Sequence, residues 1–243
     1  MRNLVLDAEP IGSDSALAAL REQIGELQLP QIAHGRRAII LFEGLEGSGK
    51  KTVLRQLAAA LDPCHFNVHA IEHDRRESAE GHWLARFWRR LPRAGDTAIF
   101  YRSWYRRVLD DRVRGRLNED TVARSFDEIN EFEAQQRDYG TLIVKLFFEV
   151  GAEVQQQRLA DRAASRWPAP RREDAIGVAD PAYVEAVSDL MRNSDTRWSP
   201  WKRIAADDER RATLSALEAI ADAWAKAMPS EPPHLVNEPN RAA

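Results

Sequence analysis

A glycine-rich stretch offers the clearest chemistry in the sequence. Gly44-Leu-Glu-Gly-Ser-Gly-Lys50 fits the pattern G-x-x-x-x-G-K, between an apolar run and a helical pattern. Glycines let successive backbone N–H groups turn toward one anion, and the start of the helix adds positive potential there. Lys50 supplies a point charge for the outer phosphates. The stretch predicts a phosphate-binding loop, and its context disfavours the alternative, a glycine-rich turn without a ligand.

The predicted phosphate- or nucleotide-binding residues of this loop are Gly44, Glu46, Gly47, Ser48, Gly49, Lys50, Lys51 and Thr52. In loops of this type the residue after the lysine is usually Ser or Thr, whose hydroxyl binds Mg²⁺. Here that residue is Lys51, and Thr52 follows one position later. The sequence therefore does not identify which hydroxyl would bind Mg²⁺.

A second stretch, "AIFYRSWYRR" at residues 98–107, begins a segment dense in arginine. Its arginines within fifteen residues are Arg102, Arg106, Arg107, Arg112, Arg114 and Arg116. Arginine forks suit phosphate oxygens, and ligands collect at the carboxyl ends of strands in open α/β sheets. We therefore favour a polyanion groove for Arg102 and Arg107. For the others we favour ion pairs with the nearby acids Asp110, Asp111 and Glu119.

Composition limits the classes of protein that the chain can be. It has 243 residues, 44% of them hydrophobic, and a net charge of −3, which suits one large α/β domain and gives no sign of a nucleic-acid or membrane partner. There is one cysteine, so no internal disulfide is expected. No basic segment followed by an apolar run opens the chain, and no stretch of 18 apolar residues occurs. We expect a cytoplasmic location.

The elements that must position these residues follow from hydrophobic periodicity. Apolar runs predict strands at residues 37–44, 66–72, 96–101, 141–150 and 202–205. Helical spacing predicts helices at residues 15–28, 51–62, 79–91, 119–139 and 153–166, after residue 180, and at 207–227. Residues 167–180 hold two prolines and a glycine and are predicted to be a loop or lid.

Strands and helices alternate at the spacing of βαβ units, which predicts a parallel sheet with helices on both faces. The predicted organisation is an N-terminal arm and helix at 1–30, one phosphate-loop domain at 31–228 and a disordered tail at 229–243. The tail prediction rests on its prolines and its few apolar residues.

Four motifs occur in the order and spacing of one known family: "FEGLEGSGK", "RFWRRLPRAGDTAIFYRSWY", "EFEAQQRDYGTLIVKLFFEV" and "SPWKRIAADDERRA". Over roughly residues 37–220 the chain resembles the polyphosphate kinase 2 family. The resemblance implies a P-loop NTPase-like α/β fold with a helical lid. It also implies Mg²⁺-dependent phosphoryl transfer between inorganic polyphosphate and a nucleotide, AMP/ADP or GMP/GDP.

The resemblance also implies roles for individual residues. Lys50, Arg102 and Arg107 match catalytic positions, and Lys145 matches a phosphate-binding lysine of the last motif strand. Glu46 stands where the family usually has an aspartate, so it is the predicted metal ligand. Glu43 and Asp74 are other acids that could take part.

Two departures from the family pattern leave the activity open. The family's strand normally ends in Asp-Arg-Ser-Trp-Tyr, but Tyr101 occupies the Asp position, and a neutral phenol is a poor Mg²⁺ ligand. The lid stretch, residues 167–180, also diverges. Both features resemble the N-terminal half of two-domain polyphosphate:AMP phosphotransferases. We therefore expect a homo-oligomer or pairing with a related domain.

Three functions follow in order of preference. The first is polyphosphate–nucleotide phosphotransfer. The second is a catalytically degenerate member that binds polyphosphate or nucleotide, or acts as a regulatory or assembly partner. A nucleoside-monophosphate kinase is the least favoured. Four tryptophans could stack on a base, although helical spacing assigns at least three of them to packing: Trp83, Trp88, Trp104 and Trp198.

Overall fold

Five parallel strands form the centre of the molecule. The computed structural model describes residues 15–71, 81–165 and 176–233. The strands are β1 (Arg37–Gly44), β2 (Phe66–Ala70), β3 (Thr97–Tyr101), β4 (Thr141–Glu149) and β5 (Trp201–Ala205). They lie in the order β2-β3-β1-β4-β5, and every pairing is parallel. The predicted strands are thus all present, with ends shifted by at most a few residues.

Seven helices connect and cover the strands in the described part of the chain. They are α1 (Ser15–Ala33), α2 (Lys50–Ala58), α3 (Ala85–Trp88), α4 (Glu119–Asp138), α5 (Ala152–Ala164), α6 (Pro181–Ser194) and α7 (Glu209–Ala227). α1 continues past the predicted end at Gln28 and contains Pro30. The helix predicted over residues 79–91 is too long: only α3 is helical there, and the described residues beside it form turns.

The sheet is covered on both faces, as predicted. Ile39 and Leu41 of β1 belong to a core cluster with side chains of α3, α4 and α6. Ile40 and Phe42 of the same strand belong to a second cluster with side chains of α1, α2 and α7. Successive side chains of a strand point to opposite faces, so β1 contributes to both cores and is buried in between.

The chain after β3 does not enter a regular helix at once. Ser103 caps a short 3₁₀ turn at Trp104–Arg106, where its hydroxyl accepts from the Tyr105 N–H. A π-helical turn follows at Arg107–Asp111. Such turns often occur at functional sites, because the extra residue re-aims neighbouring side chains.

Several predictions concern residues outside the described ranges. The structure describes the predicted domain from residue 31 only with gaps, so its bounds stay a prediction, as do the arm and the tail. Most of the predicted lid also lies outside, since residues 166–175 are not described. Among the described helices, none combines the length and the apolar composition needed to cross a membrane.

Candidate active site

The glycine-rich loop joins β1 to α2 at the carboxyl end of the sheet, where the strand order changes direction. Gly44 has φ 125°, and a Cβ there would lie 2.4 Å from the Phe148 carbonyl oxygen. Gly47 (φ 84°) and Gly49 (φ 77°) also have positive φ. Only glycine adopts these conformations without strain, so the glycines allow the loop to turn tightly above β4.

Lys50, the first residue of α2, is folded into the loop. Its side chain is buried, and Nζ donates to the carbonyl oxygens of Gly44 and Leu45 (2.7 Å to Leu45) and to Ser48 Oγ (3.1 Å). Burial lowers the pKa of Lys50 from about 10.5 to about 7, and the charge of Arg102 acts in the same direction. In the free protein the charged form of Lys50 is therefore only weakly favoured over the neutral form. An anion bound in the loop would stabilise the charged form.

The end of β3 lies beside the loop, as the sequence predicted. Tyr101 pairs with Phe42 in the sheet, and Lys50 Nζ lies 5.6 Å from the centre of the Tyr101 ring. Next to it, Glu43 accepts from the Ser103 N–H (2.5 Å) and hydroxyl (2.7 Å). Burial raises the pKa of Glu43, while the bonds from Ser103 act against that rise.

Arg102 follows Tyr101 with an unusual backbone. Its φ is 64°, the only positive value for a non-glycine residue in the described part of the chain. Its backbone N–H donates to the Phe42 carbonyl, and its Nη1 lies 3.5 Å from Asp110 Oδ2. Nη1 is buried without a hydrogen-bond partner among the described residues. Such local strain is often found at functional sites, and the charge of Arg102 is felt at Lys50.

A cavity of about 520 Å³ opens over the loop. Its wall includes loop residues, Tyr101 and the edge strand β2. Its basic lining residues are Lys50, Lys51, Arg55, Arg158 and Arg162, against two acidic ones, Asp161 and Glu209. This excess of positive charge beside a helix N-terminus suits a phosphate chain.

Helix α5 forms one side of this cavity, and the sequence reasoning did not find its contribution. Arg158 Nη1 donates to the Gly47 carbonyl oxygen (3.1 Å). Arg162 Nη1 donates to a carboxylate oxygen of Glu46 (2.8 Å). Gln155 donates to the Glu46 carbonyl oxygen (2.9 Å). The three side chains are spaced three and four residues apart, so they share one helix face, and this polar stripe is the signal that was available.

The other predicted site residues lie elsewhere. Arg107 does not line the cavity: its Nε donates to Ser125 Oγ (2.9 Å), and its guanidinium lies 4.7 Å from the centre of the Trp83 ring. Lys145 is fully buried in β4, and its Nζ donates to Glu133 (3.0 Å) and to the Ser194 carbonyl oxygen (2.7 Å). The cavity therefore brings together the loop and Tyr101. Arg102 does not line the cavity but acts on Lys50 through its charge, and Arg107 and Lys145 lie elsewhere.

Most of the remaining arginines of the segment pair with acids, as predicted. Arg112 bonds to the predicted Glu119 (3.0 Å) and also to Asp189 (2.7 Å), and Arg116 bonds to Asp111 (2.7 Å). Arg106 lies 3.9 Å from both Asp110 and Asp111. These contacts, together with the 3.5 Å approach of Arg102 to Asp110, neutralise much of the positive charge that the sequence placed after β3.

None of the four tryptophans lines the cavity over the loop. Trp104 is fully buried, and Trp83 packs against the same core cluster. Trp88 packs edge-on against Phe132 while remaining half-exposed. Trp198, 40% exposed, lies under Arg137 at the opposite end of the sheet.

The described acids next to the loop, Glu43 and Glu46, already have protein partners. Mg²⁺ requires carboxylate oxygens, usually one or two, together with phosphates and water. The Glu46 carboxylate is paired with Arg162, and that of Glu43 is held by Ser103. Across residues 15–71, 81–165 and 176–233, no group of three or more His, Cys, Asp or Glu is placed to hold a metal. Asp74 lies outside these ranges, and the role of Glu46 stays a prediction.

Comparison with known proteins gives consistent matches. A family model described as polyphosphate kinase 2 (PPK2) matches residues 12–232. The polyphosphate:AMP phosphotransferase of Pseudomonas syringae pv. tomato is 34% identical over 192 residues, covering 78% of this chain and 39% of that protein. The protein of the same name from Pseudomonas aeruginosa is 30% identical over 233 residues, covering 90% and 46%.

A solved structure is also similar. The crystal structure of polyphosphate kinase 2 from Arthrobacter aurescens TC1 superposes with a TM-score of 0.78 at 25% sequence identity, covering 86% of this chain and 77% of that one. By contrast, the chain spans less than half the length of the two curated Pseudomonas relatives.

Proposed function

The chain belongs to the polyphosphate kinase 2 family, and from that premise we propose that it transfers phosphoryl groups between inorganic polyphosphate and a nucleotide. The observation that carries the proposal is the Gly44–Lys50 loop, which opens into a cavity with five basic and two acidic lining residues. The names of its relatives, polyphosphate:AMP phosphotransferases, support the same class of reaction. The acceptor is AMP/ADP or GMP/GDP, as the resemblance implies.

In this reaction an oxygen of the nucleotide's terminal phosphate attacks the end phosphorus of polyphosphate, and the bond from that phosphorus to the shortened chain breaks. Such transfer depends on positioning and on positive charge around the moving group. Lys50 would exchange the carbonyl oxygens that it now binds for phosphate oxygens. The Nη1 of Arg102, buried without a hydrogen-bond partner among the described residues, supports a role in binding the same group.

Two parts of the proposal rest on the family resemblance. Arg107 and Lys145 remain predicted site residues, although their present contacts hold them against Trp83 and Glu133. Mg²⁺ also remains a prediction, because the carboxylates of Glu43 and Glu46 already have protein partners. Tyr101 offers no carboxylate, so we expect slow turnover.

The proposal is tested by an assay of polyphosphate-dependent phosphorylation of AMP, ADP, GMP and GDP, each with and without Mg²⁺. Formation of a nucleoside di- or triphosphate that depends on polyphosphate is the expected result. A protein that binds tripolyphosphate in calorimetry but phosphorylates none of the four would instead match the catalytically degenerate alternative.

We also propose association with a second copy or with a related domain. Large apolar side chains are exposed on the described surface, including Leu29, Trp88 and Tyr139. The proposal rests on the resemblance to one half of a two-domain protein, and Trp and Tyr are enriched at protein interfaces. Light scattering that reports a monomer at every concentration, with no co-purifying relative, would contradict this part of the proposal.

A further inference from the structure

Gln155 in the first turn of α5 connects two segments that are far apart in the chain. Its side chain is 3% exposed. The Nε2 group donates to the carbonyl oxygens of Glu46 (2.9 Å) and Ile176 (3.2 Å). The Oε1 atom accepts from the Val178 N–H (3.2 Å). One buried amide therefore joins the phosphate loop to the segment that precedes α6.

The loop packs directly against this residue. A Cβ at Gly47 would lie 3.1 Å from Gln155 Cγ and 3.3 Å from the Gln155 carbonyl oxygen. The neighbouring backbone leaves little space, so the Glu46–Gly47 peptide and Gln155 pack closely against each other.

The chemistry of the contact requires an amide. Two carbonyl oxygens need donors and one N–H needs an acceptor, and a Gln side chain supplies both. A carboxylate of the same length would keep the acceptor and lose the donors. Arg158 and Arg162, on the same helix face, also bond to the loop, but they are more exposed and contact no residue of the 176–180 segment in the described structure.

We propose that Gln155 is a positioning residue that couples the phosphate loop to residues 176–180 and so to α6. The choice of a phosphate chain as the ligand rests on the proposed function. An anion that orders the Glu46–Gly47 peptide would then also order Val178. The coupling matters because Leu45 of the loop and Tyr183 of α6 line one cavity of about 270 Å³, so α6 sets the shape of the space next to the loop.

The test uses hydrogen exchange of the full chain, with tripolyphosphate as the probe. In the wild type, tripolyphosphate should slow amide exchange in residues 44–50 and also in residues 177–180. In Gln155→Glu, which keeps the acceptor for Val178 but cannot donate to the loop, only residues 44–50 should respond, with affinity about three- to tenfold weaker. Gln156→Glu, an exposed neighbour, is the matched control and should behave as wild type.

A second measurement needs no ligand. Asp180 caps α6 by accepting from the Ala182 N–H, so Asp180→Ala should loosen the start of that helix. It should raise amide exchange at residues 46–48 in the wild-type background and not in the Gln155→Glu background. Equal effects in both backgrounds, or a tripolyphosphate response at 177–180 that survives Gln155→Glu, would overturn the proposal. If tripolyphosphate does not bind the wild type, the proposed function fails while this second measurement still decides the coupling.

Discussion

The phosphate loop (Gly44–Lys50) and the arginine segment (Arg102–Arg116) both carry the signature of phosphate binding in the sequence, yet they are built differently. The loop can still bind an anion. Ser48 and Lys50 are buried, and an anion could take the place of the Leu45 carbonyl oxygen and the Ser48 hydroxyl as hydrogen-bond partners of Lys50. In the segment, Arg112 and Arg116 already bond to carboxylates.

The difference lies in what satisfies each charge. Lys50 bonds only to neutral oxygens, and an incoming anion would favour its charged form. An arginine that is bonded to a carboxylate presents little net charge. A phosphate can bind to it only by breaking that ion pair, which costs free energy. A count of arginines therefore overestimates the attraction of this segment for a polyanion. The following predictions test this contrast, from the largest expected effect to the smallest.

Lys50→Ala should cause the largest loss. Removing a charge-assisted contact at a buried position should weaken tripolyphosphate binding about 30- to 100-fold. Lys226→Ala, which changes an exposed lysine of α7 that does not line the cavity, is the matched control and should change affinity by no more than about threefold. Titration calorimetry measures both. Unchanged affinity in Lys50→Ala would mean that anions bind elsewhere, and the claim that the loop is the binding region would be wrong.

Tyr101→Asp adds a carboxylate between the phosphate loop and the arginine segment. The new acid would stand beside Lys50 at the end of β3, where Mg²⁺ could join it to a phosphate chain. We expect Mg²⁺-dependent turnover to rise about tenfold or more, since each 1.36 kcal/mol of stabilisation gives a factor of ten.

Glu46→Ala supplies the second half of that test. Glu46 is the predicted second ligand, so combining Glu46→Ala with Tyr101→Asp should abolish the gain in turnover. Brisk turnover of the wild type together with slower turnover of Tyr101→Asp would show that Tyr101 is not the limiting residue.

The same contrast explains how much the sequence could predict. The five strands and the phosphate loop depend on apolar runs and glycines within short windows, and these were found. The helix around α3 was predicted too long because the apolar stripe of Trp83, Leu84 and Phe87 belongs mostly to turns that pack on the core. The contacts of Gln155 and Arg107 join elements distant in sequence, so no local pattern could assign them without the fold.

The pH dependence of binding should follow Lys50. Its pKa is lowered to about 7 in the free protein, and a bound anion favours the charged form. Above about pH 7 binding must therefore take up a proton, and tripolyphosphate affinity should fall by up to about 25-fold between about pH 6.5 and 8.5. Lys50→Met, measured with the same ligand, is the control for the ionisation of the phosphates, because its pH profile contains no contribution from Lys50. If wild type and Lys50→Met show parallel pH profiles, Lys50 does not titrate in this range.

The smallest effects on binding should come from the arginine segment, and Arg107 gives the sharpest case. The resemblance assigns it a catalytic role, whereas its guanidinium contacts Trp83 and Ser125 on the α4 side of the molecule. Burial also lowers the pKa of Arg107, as expected for a side chain held in packing. Arg107→Ala should therefore change tripolyphosphate affinity by less than about twofold and lower the free energy of unfolding by about 1 kcal/mol, measured by urea denaturation.

Arg102→Ala is the variant with which Arg107→Ala should be compared. Its Nη1 is buried without a hydrogen-bond partner among the described residues, and its charge is felt at Lys50, so its loss should weaken binding about three- to tenfold. The two arginines stand five residues apart, which makes them a matched pair within one segment. If Arg107→Ala weakens binding as much as Arg102→Ala while stability is unchanged, Arg107 must leave Trp83 and reach the phosphates. The segment would then be a polyanion groove after all, and its difference from the phosphate loop would be one of conformation and not of charge pairing.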